Sequence, residues 1–117
     1  MNRNRIIGAK GEKIAVEYLI KEGYEILELN WTSGHKEIDI ITKKDEIYIF
    51  IEVKTRTSTK LGMPEESISK RKIQSVTDAA QIYLYDKKYK DIRFDVIAIC
   101  LTPNEEMDFL HIKDAFY

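Results

Sequence analysis

Apolar residues along the chain recur with two periods, and the change between them predicts the order of helices and strands. From residue 7 to 22, small and apolar side chains recur at helical spacing, and Gly23 follows as a stop signal. The next segments alternate apolar and polar residues or form short apolar runs, which is typical of strands. These strands are predicted at residues 24–30, 37–43 and 46–55.

The second half of the chain repeats this change of period. An apolar face at helical spacing predicts a helix over about 67–87, after a segment that contains Gly62 and Pro64 as turn formers. Strands are predicted at 92–101 and 109–112, with a turn at 102–104. The resulting order αβββαββ indicates an α/β fold, in which a mixed sheet of about five strands is flanked by helices. The second helix supplies the crossover that a parallel strand pair needs.

Three small residues mark the inward face of the first helix. Gly8, Gly11 and Ala15 form a stripe that lets a helix lie close against a sheet, although each glycine costs about 1 kcal/mol relative to alanine. Glu12 falls on or beside this face. Two interpretations of Glu12 stay open, a salt bridge at the boundary of the core and a functional role.

Size and composition indicate one globular domain over residues 1–117. Of the 117 residues, 44% are hydrophobic and 33% are charged, which suits a single core without disulfides. Cys100 lies in an apolar stretch and is expected to be a small buried side chain. The polar start of the chain does not suit a signal peptide, and no run of eighteen apolar residues occurs. We therefore expect a cytoplasmic protein without a membrane partner.

Charge is informative by its distribution. The formal net charge is -1, so the whole chain carries no electrostatic signature of nucleic-acid binding. Basic residues nevertheless concentrate between positions 54 and 72. They are Lys54, Arg56, Lys60, Lys70, Arg71 and Lys72. A local basic face and an ordinary solvated surface are the two interpretations of this segment.

The strongest candidate for chemistry is the set Asp39, Glu52 and Lys54. Glu52 and Lys54 end the apolar run 47–54, where an isolated ion would cost several kcal/mol or more. Two carboxylates beside an ammonium can hold a divalent cation and a water next to a phosphate. The alternative is a cross-strand charge ladder without catalytic function.

A hairpin between the second and third strands would bring these residues together. With a two-residue turn at Lys44-Asp45, Asp39 is expected opposite Phe50, and Glu37 opposite Glu52. Side chains alternate along a strand, so one face of the sheet would carry Glu37, Asp39, Phe50, Glu52 and Lys54. A turn of three or five residues would send Asp39 to the other face.

The chemistry of phosphodiester hydrolysis explains why such residues are needed together. Carboxylates bind Mg²⁺ or Mn²⁺, hard cations that prefer oxygen ligands and retain waters, and the backbone carbonyl of Val53 could add a ligand. Lys54 is placed to orient the attacking water or to hold a phosphate oxygen. His35 and His111 lack partners at metal spacing, so a zinc site is not favoured.

Several motifs together resemble the YraN-like family over almost the whole chain. They are Gly8-Ala9-Lys10-Gly11-Glu12, Asn30-Trp31, Glu37-Ile38-Asp39-Ile40-Ile41, Phe50-Ile51-Glu52-Val53-Lys54-Thr55-Arg56, Gly62-Met63-Pro64-Glu65, Lys72, Arg93-Phe94-Asp95-Val96 and His111-Ile112. That family is similar to the archaeal Holliday-junction resolvases and the PD-(D/E)XK nuclease superfamily. The resemblance implies a restriction-endonuclease-like fold.

The resemblance also implies roles for single residues. Asp39 and Glu52 would be the metal-binding acids and Lys54 the superfamily's lysine. Glu12 would correspond to the helix-one glutamate that reaches the metal or its waters, and Lys72 would meet phosphate. Ile38 stands where the superfamily motif has proline.

The leading hypothesis is a Mg²⁺- or Mn²⁺-dependent endonuclease that acts on DNA, including branched DNA. Glu12, Asp39, Glu52 and the Val53 carbonyl would bind metal, and Lys54 would assist the water. Phosphate contacts are expected from Arg56, Lys60, Arg71 and Lys72. A non-catalytic nucleic-acid-binding module of the same fold and a protein-interaction domain are the alternatives. A homodimer is open, because resolvases act as two-fold dimers.

Overall fold

Five strands form one mixed sheet, and one helix packs on each face of it. The computed structural model describes residues 3–57, 68–101 and 106–116, with side chains from residue 5 onward. The elements in chain order are α1 (Arg3–Lys21), β1 (Glu25–Ser33), β2 (Lys36–Lys44), β3 (Ile47–Arg56), α2 (Lys70–Leu84), β4 (Asp91–Leu101) and β5 (Met107–Ile112). The predicted α/β class and the order αβββαββ are confirmed.

Strand order across the sheet follows the chain from β1 to β5. Neighbouring strands are antiparallel except β3 and β4, which pair in parallel, as expected for strands joined by the helical crossover α2. The predicted start of the second helix at residue 67, the turn formers at 60–66 and the turn at 102–104 lie outside the described residues. Neither α1 nor α2 is long and apolar enough to cross a membrane.

The two faces of the sheet carry separate hydrophobic clusters. On the α1 face, Ala15 and Leu19 pack with buried strand residues, which are Ile40, Ile49, Ile51, Ile97 and Ile99. On the α2 face, the helix contributes Val76, Ala79, Ala80, Tyr83 and Leu84, and the strands contribute Ile38, Ile41, Tyr48, Phe50 and Phe94. Cys100 is buried, as predicted. The two helices are thereby fixed on opposite sides of β2 and β3.

The turn between β2 and β3 corrects the predicted register. Its two central residues are Asp45 and Glu46, with φ angles of 53° and 66°, the left-handed conformation that a tight type I′ hairpin requires. Ile40 pairs with Ile51, so the predicted pairs Asp39–Phe50 and Glu37–Glu52 are wrong. The register differs by two residues and keeps the parity of the prediction. The last pair is Ile40–Ile51, so Asp39 and Glu52 are the next residues beyond the end of the ladder.

Gly11 sets the distance between α1 and β3. A methyl group added at this glycine would overlap Thr55 Oγ1 and lie 2.8 Å from Thr55 Cβ, whereas one added at Gly8 would meet no atom within 4 Å. The small stripe predicted from the sequence therefore acts through Gly11 and the fully buried Ala15. Gly8 takes no part in this close packing.

Exchanging each glycine for alanine should change stability in opposite directions. Gly8→Ala is expected to raise the free energy of unfolding by up to about 1 kcal/mol, because only the helical preference changes. Gly11→Ala should lower it by about 1–2 kcal/mol, because overpacking against Thr55 outweighs that gain. Urea unfolding monitored by circular dichroism measures both. Equal stabilisation of the two variants would show that α1 does not depend on close contact at Gly11.

Candidate functional site

Two carboxylates lie side by side where β2 and β3 separate. The ladder between these strands ends at the pair Ile40–Ile51. Beyond it, the backbone N–H of Asp39 donates to Glu52 Oε2 at 3.2 Å, and the backbone N–H of Val53 donates to Asp39 Oδ2 at 2.9 Å. Side-chain oxygens thus replace the missing ladder bonds, which holds the two acids at the end of the strand pair.

Glu52 is buried, with 2% of its surface exposed. Its Oε1 atom lies 3.0 Å from Nζ of Lys72, whose side chain is 40% exposed. No other donor among the described residues bonds to this oxygen. The contact is an ion pair at hydrogen-bonding distance, and the same contact lowers the pKa of Glu52, so the Lys72 ammonium is the partner of this oxygen.

Burial and mutual repulsion shift the titration of the acid pair. Burial, followed by the charge of Asp39, raises the pKa of Glu52 to about 7, and Lys72 opposes the shift. Burial also raises the pKa of Asp39, against the hydrogen bond from Val53 and the charge of Lys72. Burial alone would lower the pKa of Lys72, but the charge of Glu52 and its contact raise it. The three groups form one electrostatic unit, as is common at functional sites.

Asn30 ties the acid of α1 to this unit. The register of β1 on β2 places Asn30 opposite Asp39, and its φ of 51° is left-handed, a conformation that asparagine tolerates. With its amide nitrogen facing the acids, Asn30 donates to Glu12 Oε1 at 2.8 Å and Glu37 Oε1 at 3.1 Å. Burial and the charge of Asp39 raise the pKa of Glu12, against the Asn30 hydrogen bond. Sequence reasoning missed this bridge, although Asn30 stood within a quoted motif.

A groove of about 1030 Å³ is lined by Asp39, whereas the buried Glu52 is not among its lining residues. Its acidic lining comes from Glu12, Glu37 and Asp39. Its basic lining comes from Arg5, Lys54 and Arg56. The mixture suits a ligand that carries both bound cations and anionic groups.

The remaining predicted site residues occupy different positions. Lys54 is half-buried in the groove, and its charge acts on Asp39, but the cation that contacts Glu52 is Lys72. Arg56 is exposed at the groove, and Arg71 is exposed in the first turn of α2. Lys60 lies outside the described residues. The Val53 N–H is engaged by Asp39, and its carbonyl remains a predicted ligand.

The donor set fits a hard cation that keeps most of its waters. Within residues 5–57, 68–101 and 106–116, no three His, Cys, Asp or Glu side chains converge closely enough to hold an ion by themselves. The Asp39 and Glu52 carboxylates nevertheless lie close together, and Glu52 Oε1 faces the partly exposed Lys72 ammonium at 3.0 Å. Mg²⁺ is commonly held by one or two carboxylates together with waters and substrate phosphates. The Asp39–Glu52 pair would supply the two carboxylates of such a site, and waters and substrate phosphates would complete the coordination.

A second polar cluster lies under the other end of α1. Asp95 is fully buried and accepts from Arg93 through both of its oxygens, at 2.8 and 2.9 Å. His111 Nε2 lies 2.8 Å from Asp95 Oδ2, and its Nδ1 lies 2.7 Å from the Tyr18 hydroxyl. The sequence signal was an acid within an apolar strand, the same signal that identified Glu52. Here the acid is fully paired, which indicates a structural role.

Comparisons with known proteins agree on one group of relatives. The chain matches the model of a family described as "Uncharacterised protein family UPF0102" over residues 11–99. It is 48% identical over 118 residues to a UPF0102 protein of Clostridium perfringens, covering 97% of this chain and 95% of that one. A UPF0102 protein of Syntrophomonas wolfei is 42% identical over 115 residues, covering 97% and 99% of the two chains. One of Flavobacterium psychrophilum is 41% identical over 118 residues, covering 100% and 98%.

Proposed function

The chain belongs to the UPF0102 family, and from this premise we propose that it is a metal-dependent endonuclease that hydrolyses phosphodiester bonds in DNA. The observation that carries the proposal is the Asp39–Glu52 pair, held side by side next to a groove. A buried acid whose pKa is raised to about 7 by burial and by Asp39 is costly for a fold, even with the Lys72 ammonium 3.0 Å from its Oε1. Its presence supports a functional site, and the resemblance to PD-(D/E)XK nucleases supports the reaction type.

The proposed roles follow from the positions of the side chains. Asp39 and Glu52 would hold Mg²⁺ or Mn²⁺, and the Val53 carbonyl could add a ligand. Glu12, which Asn30 holds by a hydrogen bond, would contact the waters bound to the metal. The cation would neutralise phosphate charge and make a bound water more acidic. Lys54 lies in the groove beside Asp39, where its ammonium would orient the attacking water or hold a phosphate oxygen.

Basic residues near the pair supply the proposed contacts to DNA. Arg56 lines the groove, and the first turn of α2 contains Arg71 and Lys72 but no acidic residue. Phosphates are favoured at a helix N-terminus, and contacts to phosphates read backbone shape rather than base sequence. Lys60 is proposed to contact phosphate as well. Branched DNA, a cytoplasmic location and a homodimer complete the proposal.

Nicking assays test the proposal directly. Purified protein with Mg²⁺ or Mn²⁺ is expected to nick at least one substrate among duplex, flap and four-way-junction DNA. Asp39→Asn and Glu52→Gln should lower the nicking rate by at least about 100-fold, because the cation would lose a charged ligand. Lys54→Met should lower it as well. Plasmid relaxation and labelled junction substrates measure these rates.

Matched controls come from the exposed surface. Glu17→Gln and Lys88→Met make the same chemical changes at exposed positions away from the groove, so their rates should equal that of the original protein. Equal cutting by the original protein and all site variants would identify a contaminating nuclease and contradict the proposal. Absence of cutting on every substrate with either metal would contradict it too.

A non-catalytic DNA-binding module is the second candidate. It is favoured by the Lys72–Glu52 contact and by the lack of a three-carboxylate cluster among the described residues. This candidate predicts that DNA binding survives Asp39→Asn and Glu52→Gln and does not depend on a divalent cation. Fluorescence anisotropy with labelled junction DNA, in EDTA and in Mg²⁺, separates binding from cleavage.

A further inference from the structure

We infer that Lys72 is a built-in counter-ion that occupies Glu52 while no metal is bound and competes with the incoming divalent cation for the same oxygen. The inference rests on the proposed metal site and assigns a residue that regulates its occupancy. Its basis is the position of one ammonium group. Nζ of Lys72 lies 3.0 Å from Glu52 Oε1, and no other donor among the described residues bonds to this oxygen.

The geometry makes the two cations mutually exclusive at that oxygen. A metal ion held between Asp39 and Glu52 would need a Glu52 oxygen, and Oε2 already accepts from the Asp39 backbone. Oε2 has a second lone pair, but Oε1 accepts no backbone hydrogen bond and is the freer ligand, and the Lys72 ammonium lies 3.0 Å from it. Two positive centres a few ångströms apart in a buried environment repel strongly. Metal binding thus requires Lys72 to move.

Lys72 is suited both to stay and to leave. It stays because a buried carboxylate pair without a counter-charge would be unstable, and its charge acts on Asp39 as well as Glu52. It can leave because its side chain is 40% exposed, so the ammonium can rotate into water without disturbing the core. A lysine in the first turn of a helix is itself disfavoured by the helix dipole. Once displaced, the ammonium remains at the site and is free to meet a phosphate.

Calorimetric titration of metal-free protein with Mn²⁺ tests the inference without any activity measurement. Lys72→Met and Lys72→Gln should bind Mn²⁺ about tenfold more tightly than the original protein, because the competing cation is gone and the site is always available. Lys72→Arg keeps the charge and should bind like the original. Lys70→Met removes an exposed lysine from the same helical turn and should change affinity less than about twofold.

Thermal melts supply a readout that a merely structural role would not produce. Without metal, Lys72→Met should melt below the original protein, and at saturating Mn²⁺ the difference should disappear. A lysine needed only for packing would lower both melting temperatures alike, and that result would overturn the inference. So would equal Mn²⁺ affinities of the original protein and Lys72→Met.

Failure of the inference can be told apart from failure of the proposed function. If the original protein binds Mn²⁺, Glu52→Gln does not, and Lys72→Met gains no affinity, only the counter-ion role falls. If neither the original protein nor Lys72→Met binds Mn²⁺, the metal site and the counter-ion role fall together. Binding detected only after Lys72 is replaced would support the inference most strongly.

Discussion

Replacing Asp95 by asparagine is expected to lower the free energy of unfolding by about 3–5 kcal/mol at pH 7, the range for removing one partner of a buried ion pair. Asp95 is fully buried and accepts from Arg93, from His111 and from the backbone N–H of Asp114. Asparagine has nearly the same shape but no charge, so the partly buried guanidinium would lose its counter-ion. The loss would be felt in β4, β5 and the residues after β5.

The cluster around Asp95 also reaches α1. An ionised carboxylate only accepts hydrogen bonds, so His111 donates to it through Nε2, and the His111 Nδ1 lies 2.7 Å from the Tyr18 hydroxyl on the other side of the ring. Arg93 donates in addition to the Tyr24 hydroxyl at 3.0 Å. These bonds fix the end of α1 that lies away from Glu12. Loss of Asp95 should therefore loosen the helix that positions Glu12 at the carboxylate site.

The pH dependence of this loss has a definite sign. Burial would raise the pKa of Asp95, but hydrogen bonds from His111, Arg93 and Asp114 outweigh it and hold the pKa below the ordinary value of 3.8. A depressed pKa stabilises the fold above the unfolded value, and the contribution is lost as the pH falls through the folded one. The difference in free energy of unfolding between the original protein and Asp95→Asn should therefore be largest at neutral pH and decrease below about pH 4.

Urea unfolding at pH 7 and pH 3.5 measures both parts of this prediction. Asp108→Asn is the matched control, because this substitution makes the same chemical change at an exposed position of β5. It should alter stability by less than about 0.5 kcal/mol. A small loss at pH 7 for Asp95→Asn, comparable to that of the control, would show that the cluster adds little to the fold.

The order of elements was predictable because helical and strand periods differ along the chain, and buried residues such as Leu19 and Phe50 follow those periods. The hairpin register was not, because Asp45 and Glu46 adopt positive φ without the glycine or asparagine that usually signals it. The register error was an even number of residues, and Asp39 and Glu52 still meet at the end of the strand pair, where the Asp39 N–H donates to Glu52 Oε2. That both side chains project from one face of the sheet stays a prediction.

Contacts between elements far apart in the chain carried no local signal. Lys72 meets Glu52 only because α2 packs on the sheet face opposite α1, and the sequence could place it no closer than a basic segment. Asn30 bridges Glu12 and Glu37 because a single left-handed residue re-aims its amide. The pairing of Asp95 with His111 likewise depends on the register of β5 on β4. Glu52 and Asp95 are buried acids with the same sequence pattern, and only the contacts of their side chains in the fold distinguish them.

Replacing Glu52 by glutamine is expected to stabilise the metal-free fold at alkaline pH. Burial and the neighbouring Asp39 raise the pKa of Glu52 from 4.5 to about 7, so the folded protein binds a proton that the unfolded chain releases. Stability must therefore fall as the pH rises through this interval and level off above it. Since one pKa unit corresponds to about 1.4 kcal/mol, the loss amounts to about 3 kcal/mol. Glutamine does not ionise, so the Glu52→Gln variant avoids this loss of stability.

The comparison of pH 5 with pH 8 decides whether this cost exists. At pH 5 Glu52 is largely protonated in the fold, so Glu52→Gln and the original protein should unfold at similar urea concentrations, whereas at pH 8 the variant should be more stable by about 2–3 kcal/mol. Glu17→Gln, an exposed control, should show no such dependence on pH. A constant difference at both pH values would mean that Glu52 carries its charge without cost, and the energetic argument for a functional acid at this position would then fail. A pH-dependent gain, joined to loss of Mn²⁺ binding in the same variant, would show that this fold gives up stability to keep a carboxylate where a cation can use it.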